Sequence, residues 1–133
     1  MIAGLNHVIA DCENAFPTLT TRKCVANLSL GGPTSSSMDT AVQNAVNAGV
    51  VMVVAAGNDN SDACGYSPAG EASAITVGST AIDDTNSGFS NYGNCVDVYA
   101  PGSNIVSARA GTTSGTKPLS GTSMASPRKC FVA

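Results

Sequence analysis

The stretch that decides the fold runs from Cys24 to Gly57 and reads CVANLSLGGPTSSSMDTAVQNAVNAGVVMVVAAG. Residues 24–30 form a short strand pattern that stops at the breaker Gly31-Gly32-Pro33. Three serines then offer N-caps to a helix with apolar residues at helical spacing, and a glycine stands where such a helix ends. The run VVMVVAA, residues 50–56, is unbroken and apolar, which is typical of a strand buried on both faces.

A strand, a helix and a second strand within about 30 residues predict a right-handed βαβ unit whose strands are parallel. Further short strands are predicted over residues 74–77, 96–99 and 105–107. The predicted fold class is therefore α/β, with a mostly parallel sheet flanked by helices, and no domain boundary is visible.

Residues 1–10 predict a further helix, and residues 11–23 read as a loop. In this helix Ile2, Leu5 and Ile9 share one face, which we expect to be buried. The chain's single histidine projects from the opposite face.

Composition excludes two classes of partner. Six basic and nine acidic side chains leave a net charge of −3, and no Lys/Arg cluster provides the footprint of a nucleic-acid-binding protein. The longest apolar run, residues 49–56, is far shorter than the ~20 residues needed to span a bilayer. The chain also begins with no recognisable signal peptide.

Five cysteines stand at positions 12, 24, 64, 95 and 130, an odd number that leaves at least one thiol unpaired within the chain. No CxxC pair occurs, and one histidine gives little support to a structural zinc site. Cys12 and Cys24 flank one loop, but the sequence leaves open whether they pair.

Both buried strands run into glycine-rich segments, SLGG at 29–32 and AAGN at 55–58. Ligands of open parallel sheets bind outside the carboxyl ends of the strands, and Asn58 could donate a hydrogen bond into such a cleft. Ordinary turns would also account for these segments.

Ser123 follows Gly121-Thr122 where a helix is predicted to start, a place that suits a nucleophile because backbone N–H groups there can hold an oxyanion. Taken alone, a serine in this position is more often an N-cap.

Five segments together resemble those of subtilisin-like serine proteases, in the same order and at similar spacing: SLGG at 29–32, AAGN at 55–58, FSNYG at 89–93, APG at 100–102 and GTSMA at 121–125. The chain is most similar to the proteinase K branch of this family, and within it to the aqualysin-type enzymes. The resemblance covers residues 1 to about 127 and implies a partial subtilisin-like fold.

The resemblance assigns roles at the site. Ser123 matches the nucleophile that forms the acyl-enzyme, and Asn58 matches the side chain of the oxyanion hole. Two further segments match the strand that pairs with the substrate backbone and one wall of the pocket for the residue before the scissile bond: Ser29, Leu30 and Gly31 for the strand, and Ala55, Ala56 and Gly57 for the wall. Catalysis in this family uses no cofactor, and the substrate is a polypeptide.

The resemblance also implies two stabilising features. The carbonyls of Ala72 and Ala74 and the carboxylate of Asp97 match a calcium site, whose oxygen ligands suit this hard cation. Cys64 and Cys95 match a disulfide of aqualysin-like members, whereas Cys130 matches no such partner and is expected to be free. The parent enzyme is expected to be extracellular and monomeric.

Subtilisins carry the catalytic Asp, His and Ser in that chain order, and this chain contains neither the Asp-[Ser/Thr]-Gly nor the His-Gly-Thr motif. His7 matches a surface helix without a catalytic role. Arg128-Lys129-Cys130 stands where the family continues with His-Val-Ala-Gly into a buried helix. We therefore expect residues 1–133 to be an incomplete peptidase domain, the central to C-terminal portion, which lacks the first strands and the C-terminal helices.

Two functional hypotheses follow. The chain is either part of a serine endopeptidase that hydrolyses peptide bonds through Ser123, or a non-catalytic remnant whose cleft at most binds extended peptides. The presence of an in-frame Asp and His in the upstream coding DNA would favour the first hypothesis.

Overall fold

A parallel sheet with helices on both faces is the framework of the chain in a computed structural model, which describes residues 1–21 and 23–130 but not the side chains of residues 129 and 130. In chain order the elements are α1 (Ile2–Ala15), β1 (Cys24–Leu28), β2 (Gly32–Pro33), α2 (Ser36–Asn47), β3 (Val50–Ala55), β4 (Tyr66–Ser67), β5 (Ile75–Thr80), β6 (Val98–Pro101), β7 (Ile105–Ala108), β8 (Thr116–Leu119) and α3 (Thr122–Cys130). The predicted α/β class is confirmed.

The main sheet has four strands in the order β1-β3-β5-β6, and every neighbouring pair is parallel. Strands β1 and β3 pair in register from Cys24 opposite Val50, with α2 as the connection between them. The predicted βαβ unit is thus confirmed. Strands β2 and β4 form one small antiparallel ribbon, and β7 and β8 form another just before α3.

The two faces of the sheet bury different helices. Side chains alternate along β3, so Met52 and Val54 pack with α1 and α2, whereas Val53 packs with Ala125 of α3. Helices α1 and α2 therefore lie on one face and α3 on the other. Among the described residues, none of the helices is long and apolar enough to cross a membrane.

Helix α1 is longer than predicted. It continues to Ala15, and residues 11–15, predicted as loop, are helical. The reason is tertiary, because Cys12 is buried in the core and bonded to Cys24. This packing stabilises the end of the helix, although its polar sequence DCENA does not indicate a helix. On the predicted apolar face Leu5 is buried, but Ile2 is exposed.

Strand β3 is not buried along its whole length. Val51 is 38% exposed, and its register partner Val25 is 41% exposed, because no described residue covers the start of the sheet on the α3 side. The other residues of β3 are buried as predicted.

Helix α2 begins and ends near the predicted points. Ser35 is its N-cap, although its hydroxyl faces Ser37 instead of capping the helix. Gly49 follows the helix with φ +88°, a conformation that favours glycine. Strand β1 ends at Leu28, two residues earlier than predicted, so Ser29 is free of the ladder.

Candidate active site

The carboxyl ends of β1 and β3 meet the start of α3 at one edge of the sheet. Strand β1 leads into Ser29, and β3 leads into Gly57 and Asn58. Helix α3 contributes Ser123 in its first turn, and it contacts β1 and β3 directly. The carboxyl ends of the two parallel strands bring Ser29 and Asn58 to the same edge, and the packing of α3 against both strands brings Ser123 to them.

Ser29 and Ser123 exchange hydrogen bonds across 94 positions of sequence. The Ser123 hydroxyl donates to the Ser29 carbonyl at 3.2 Å, and the Ser29 hydroxyl donates to the Ser123 carbonyl at 2.9 Å. The second bond meets a need created by the sequence. Pro127, four residues along α3, has no N–H to donate to the Ser123 carbonyl, and Ser29 replaces it.

Two further groups hold the Ser29 hydroxyl oxygen. The Asn27 amide donates to it at 2.8 Å, and the buried hydroxyl of Ser126 lies 3.0 Å away. With its proton directed at the Ser123 carbonyl, the Ser29 oxygen accepts from both. The end of β1 and the first turn of α3 are therefore joined by a connected set of hydrogen bonds.

Thr122 orients the amide of Asn58. The Thr122 N–H and hydroxyl both donate to Asn58 Oδ1, at 2.8 and 3.0 Å. The carbonyl end of the amide is thus fixed, and its nitrogen lies near Gly121. A Cβ placed on Gly121 would lie 3.8 Å from Asn58 Nδ2 and 3.7 Å from the Ser123 nitrogen. Asn58 Nδ2 and the Ser123 nitrogen thus both lie near Gly121, and a pair of N–H donors is what an oxyanion requires.

A cleft of about 450 Å³ opens from this point between the two loops that follow β1 and β3. Its walls are mostly small and uncharged, and they leave room for a substrate side chain. The lining residues are Leu30, Gly31, Gly32, Pro33, Ala55, Ala56, Gly57, Asn58, Asp59, Tyr66, Ala69, Thr122 and Ser123.

The structure brings together all eight residues predicted for catalysis and substrate binding. Seven line the cleft, and the eighth, Ser29, is joined to one of them, Ser123, by two hydrogen bonds. Their roles stay predictions. Sequence reasoning assigned no role to Thr122 or Asn91, although both lie in quoted motifs, because a hydrogen bond across 64 or 35 positions leaves no local signal.

A second groove of about 340 Å³ lies on the other side of Ser123. It is mainly apolar and is formed by the β7–β8 hairpin and the exposed side of α3. Val106 and Leu119 of the hairpin are exposed there.

Two disulfides occur among the described residues, one between two loop segments and one between α1 and β1. Cys64 and Cys95 are bonded, with Cα atoms 5.3 Å apart, which confirms the predicted pair. Cys12 and Cys24, whose pairing the sequence left open, are bonded as well. The side chain of Cys130, predicted to be free, lies outside the described part of the chain.

The residues predicted to bind calcium lie beside the start of β5. Asp97 Oδ2 accepts a hydrogen bond from the Thr76 N–H at 2.7 Å, and the Asp97 N–H donates to the Thr76 carbonyl. This places the carboxylate next to the 72–74 turn that carries the two predicted carbonyl ligands. Where the chain is described, no three His, Cys, Asp or Glu side chains cluster as metal ligands, so a cation would depend on those carbonyls. The oxygen-only donor set fits calcium.

His7 lies on the opposite side of the sheet from Ser123. Its ring is 3.3 Å from Asp11 on the same face of α1, and the two side chains are 77% and 66% exposed. Helix α1 packs on the sheet face opposite α3.

Elsewhere on the surface, the hydroxyl and N–H of Thr85 hold the pKa of the Asp83 carboxyl below its ordinary value.

A serine in the first turn of a helix, an amide held by Thr122 and a cleft lined by small residues are thus brought together at one edge of the sheet. Residues 6–133 match the Subtilase family, and the chain belongs to that family.

Similar proteins agree with this assignment. The chain is 57% identical to an extracellular serine proteinase of Thermus sp. over 106 residues, 80% of this chain and 26% of that protein. It is 51% identical to subtilisin-like protease 1 of Trichophyton rubrum over 133 residues, all of this chain and 25% of that protein. The crystal structure of a cold-adapted subtilisin-like serine proteinase superposes with TM-score 0.83 at 46% identity, over 98% of this chain and 44% of that one. The chain therefore spans about a quarter of the length of these curated relatives.

Proposed function

We propose that this chain supplies the nucleophile and the substrate cleft of a secreted serine endopeptidase. The observation that carries the proposal is the anchoring of the Asn58 amide to Thr122 at the start of α3, with Asn58 and Ser123 both lining the cleft. Secretion is supported by the Thermus relative, which is named extracellular, and by two disulfides, which persist in oxidising compartments.

Each segment then has a role in peptide hydrolysis. The Ser123 oxygen attacks the substrate carbonyl carbon, the C–N bond breaks, and the amine leaves with a proton while an ester remains on Ser123. Asn58 Nδ2 and the Ser123 N–H stabilise the oxyanion that forms in between. Water then hydrolyses the ester and restores the hydroxyl.

The substrate is an extended polypeptide. The segment Ser29–Gly31 pairs with its backbone in the manner of an added strand, and Ala55–Gly57 form a wall for the side chain before the scissile bond. The small residues at positions 55–57 support this assignment, because they leave the cleft open.

Ser123 needs a proton acceptor, and among the described residues no imidazole lies beside it. In the part of the chain that the structure describes, its hydroxyl donates to the Ser29 carbonyl, and a carbonyl does not take the proton at neutral pH. The single imidazole, on His7, lies across the sheet. We infer that the acceptor comes from outside these residues and that the 133-residue chain alone does not turn over substrate.

A non-catalytic peptide-binding chain is the second candidate. It is favoured by one observation, the donation of the nucleophile's proton to a backbone carbonyl. In both candidates the partner is a polypeptide, not a nucleic acid or a membrane, and the molecule acts as a monomer. Ala72, Ala74 and Asp97 hold calcium, which would supply only stability.

Fluorophosphonate labelling tests the proposal, because this probe reacts with activated serines. The 133-residue chain should bind an acetylated apolar tetrapeptide amide but leave Ser123 unlabelled. A longer polypeptide that contains this chain together with its upstream coding segment should be labelled, and Ser123→Ala should abolish the labelling. Rapid labelling of the 133-residue chain would overturn the inference about the proton acceptor. A longer polypeptide that binds peptide but stays unlabelled would favour the non-catalytic alternative.

A further inference from the structure

Asn91 is a fully buried amide in a segment without regular structure, with 0% of its side chain exposed. Burial of an amide is costly unless its donors and acceptors are paired. Its Nδ2 donates to the Ala56 carbonyl at 2.9 Å. Its Oδ1 accepts from the N–H groups of Asp59 and Ser61, at 2.9 and 3.2 Å. One side chain thus replaces the backbone partners that the loop after β3 lacks.

The backbone of Asn91 adds a further bond to the same loop, because its N–H donates to the Gly57 carbonyl at 3.0 Å. The residues held by Asn91 therefore stand on both sides of Asn58: Gly57 immediately before it and Asp59 immediately after it. Asn58 itself is tied through its side chain to Thr122. The position of its NH₂ group is consequently determined by two anchors, Asn91 for the backbone and Thr122 for the amide.

The contact between Asn91 and Gly57 is close. Gly57 has φ +106°, and a Cβ at this position would overlap the Asn91 amide nitrogen. Only glycine at position 57 therefore allows this wall of the cleft to pack so closely against Asn91. Ala56, Gly57 and Asp59, all in contact with or bonded to Asn91, line the cleft.

We infer that Asn91 is a positioning residue for the peptide cleft and the oxyanion donor, acting through the 56–61 loop. The inference rests on the proposed function. It requires an asparagine in particular: aspartate has no donor for the Ala56 carbonyl, and serine is too short to join Ala56 to Asp59.

The variant Asn91→Asp gives a sharp test, because protonation of its carboxyl restores the missing donor. Burial disfavours the charged form and raises the pKa of such a carboxyl, so the donor should return in mild acid. The titratable groups in and beside this loop include Asp59, Asp62, Tyr66 and Tyr92, and all four are present in the wild-type chain. The ratio of variant to wild-type affinity at each pH cancels their contribution.

The experiment measures binding of the acetylated apolar tetrapeptide amide by the 133-residue chain between pH 4 and pH 7, with circular dichroism to verify folding. At pH 7 Asn91→Asp should bind about tenfold more weakly than wild type, the loss expected for one unpaired buried group. Near pH 4 the ratio should fall below about threefold. Asn94→Asp, which adds the same charge at an exposed position nearby, should match wild type throughout.

The side-chain NH₂ resonance of Asn58 provides a second readout that does not depend on peptide binding. It should shift in Asn91→Asp at pH 7 and return toward the wild-type position in acid. If wild type binds no peptide, the proposed function fails while this resonance still tests the inference. Equal affinities and an unmoved resonance at pH 7, or a loss shared by Asn94→Asp, would overturn it.

If Asn91→Asp does not fold at neutral pH, Asn91→Ser serves instead, since it introduces no charge. It should weaken binding at every pH without recovery in acid. Wild-type affinity in a folded Asn91→Ser chain would contradict the inference.

Discussion

Ser29 illustrates how one hydroxyl can serve two segments at once. It stands in for the N–H that Pro127 lacks and accepts from Asn27, so the first turn of α3 is held at the end of β1. The proline therefore has a structural consequence within the site, because it frees the Ser123 carbonyl for a bond to Ser29.

We predict that Ser29→Ala lowers the free energy of unfolding by about 1–3 kcal/mol, because the Ser123 carbonyl loses its donor in a partly buried place. Urea denaturation measures the loss. Ser36→Ala, at an exposed serine in the first turn of α2, is the control and should change stability by less than about 0.5 kcal/mol. Equal values for the two variants would show that the Ser29 bond contributes nothing.

Gly57 is constrained by both its backbone and its surroundings. Gly57→Ala should lower stability by on the order of 1–3 kcal/mol, from a strained φ, and should weaken peptide binding as Asn91 is displaced. Gly88→Ala is the matched control, since a Cβ there meets nothing within 4 Å. Denaturation and peptide titration of both variants make the comparison. Unchanged peptide affinity in Gly57→Ala would contradict the close packing.

At the scale of elements, the loop after β3 is joined to residues 89–95 by backbone hydrogen bonds and a disulfide. Asn60 donates to the Phe89 carbonyl, Tyr92 to the Ser61 carbonyl and Ala63 to the Tyr92 carbonyl. The Cys64–Cys95 disulfide closes the far end of this pairing. The disulfide thus secures the same loop that Asn91 positions.

Replacement of both Cys64 and Cys95 by alanine should lower the free energy of unfolding by about 2–4 kcal/mol, because the unfolded chain regains the freedom of a loop with a sequence separation of 31. Guanidinium denaturation measures the change. Mass spectrometry that shows Cys12–Cys24 still oxidised provides the control. An unchanged midpoint would mean that the hydrogen bonds alone secure the loop.

Strands β5 and β6 meet at the proposed calcium site through Asp97 and Thr76. Calcium at 100 times its Kd should stabilise the chain by about 2.7 kcal/mol, because it binds only the folded state. Thermal melts in calcium and in chelator should therefore differ, and Asp97→Asn should remove most of the difference. Asp83→Asn, a control at an exposed turn, should keep it. Identical melts of the wild type would contradict the site.

At the scale of the whole molecule, the sheet separates His7, the single histidine of the sequence, from Ser123. We predict that His7→Ala changes stability by less than about 1 kcal/mol, since its pair with Asp11 is exposed, and leaves peptide affinity and Ser123 labelling unaltered. Leu5→Ala, on the buried face of the same helix, should cost about 2–5 kcal/mol. A change of Ser123 reactivity in His7→Ala would contradict the placement of α1 and α3 on opposite faces of the sheet.

Most of the fold could be predicted from sequence because its signals are local. The apolar run of β3, the spacing of apolar residues along α2 and the glycine at its end each report on neighbours within a few positions. Those same signals say nothing of β2, β4 or β8, which are two to four residues long and carry no periodicity. The end of α1 was missed for a related reason, since its burial comes from Cys12 and the distant Cys24.

The sequence by itself determined the class of fold through its local patterns, and its resemblance to subtilisin-like proteases indicated the family and the residues that meet at the cleft. Only the tertiary structure decided how those residues are held. The exchange between Ser29 and Ser123 spans 94 positions, and the bond from Thr122 to Asn58 spans 64. Hydrogen bonds are directional and short in range, so their partners become defined only when the packed sheet and helix fix each backbone in place.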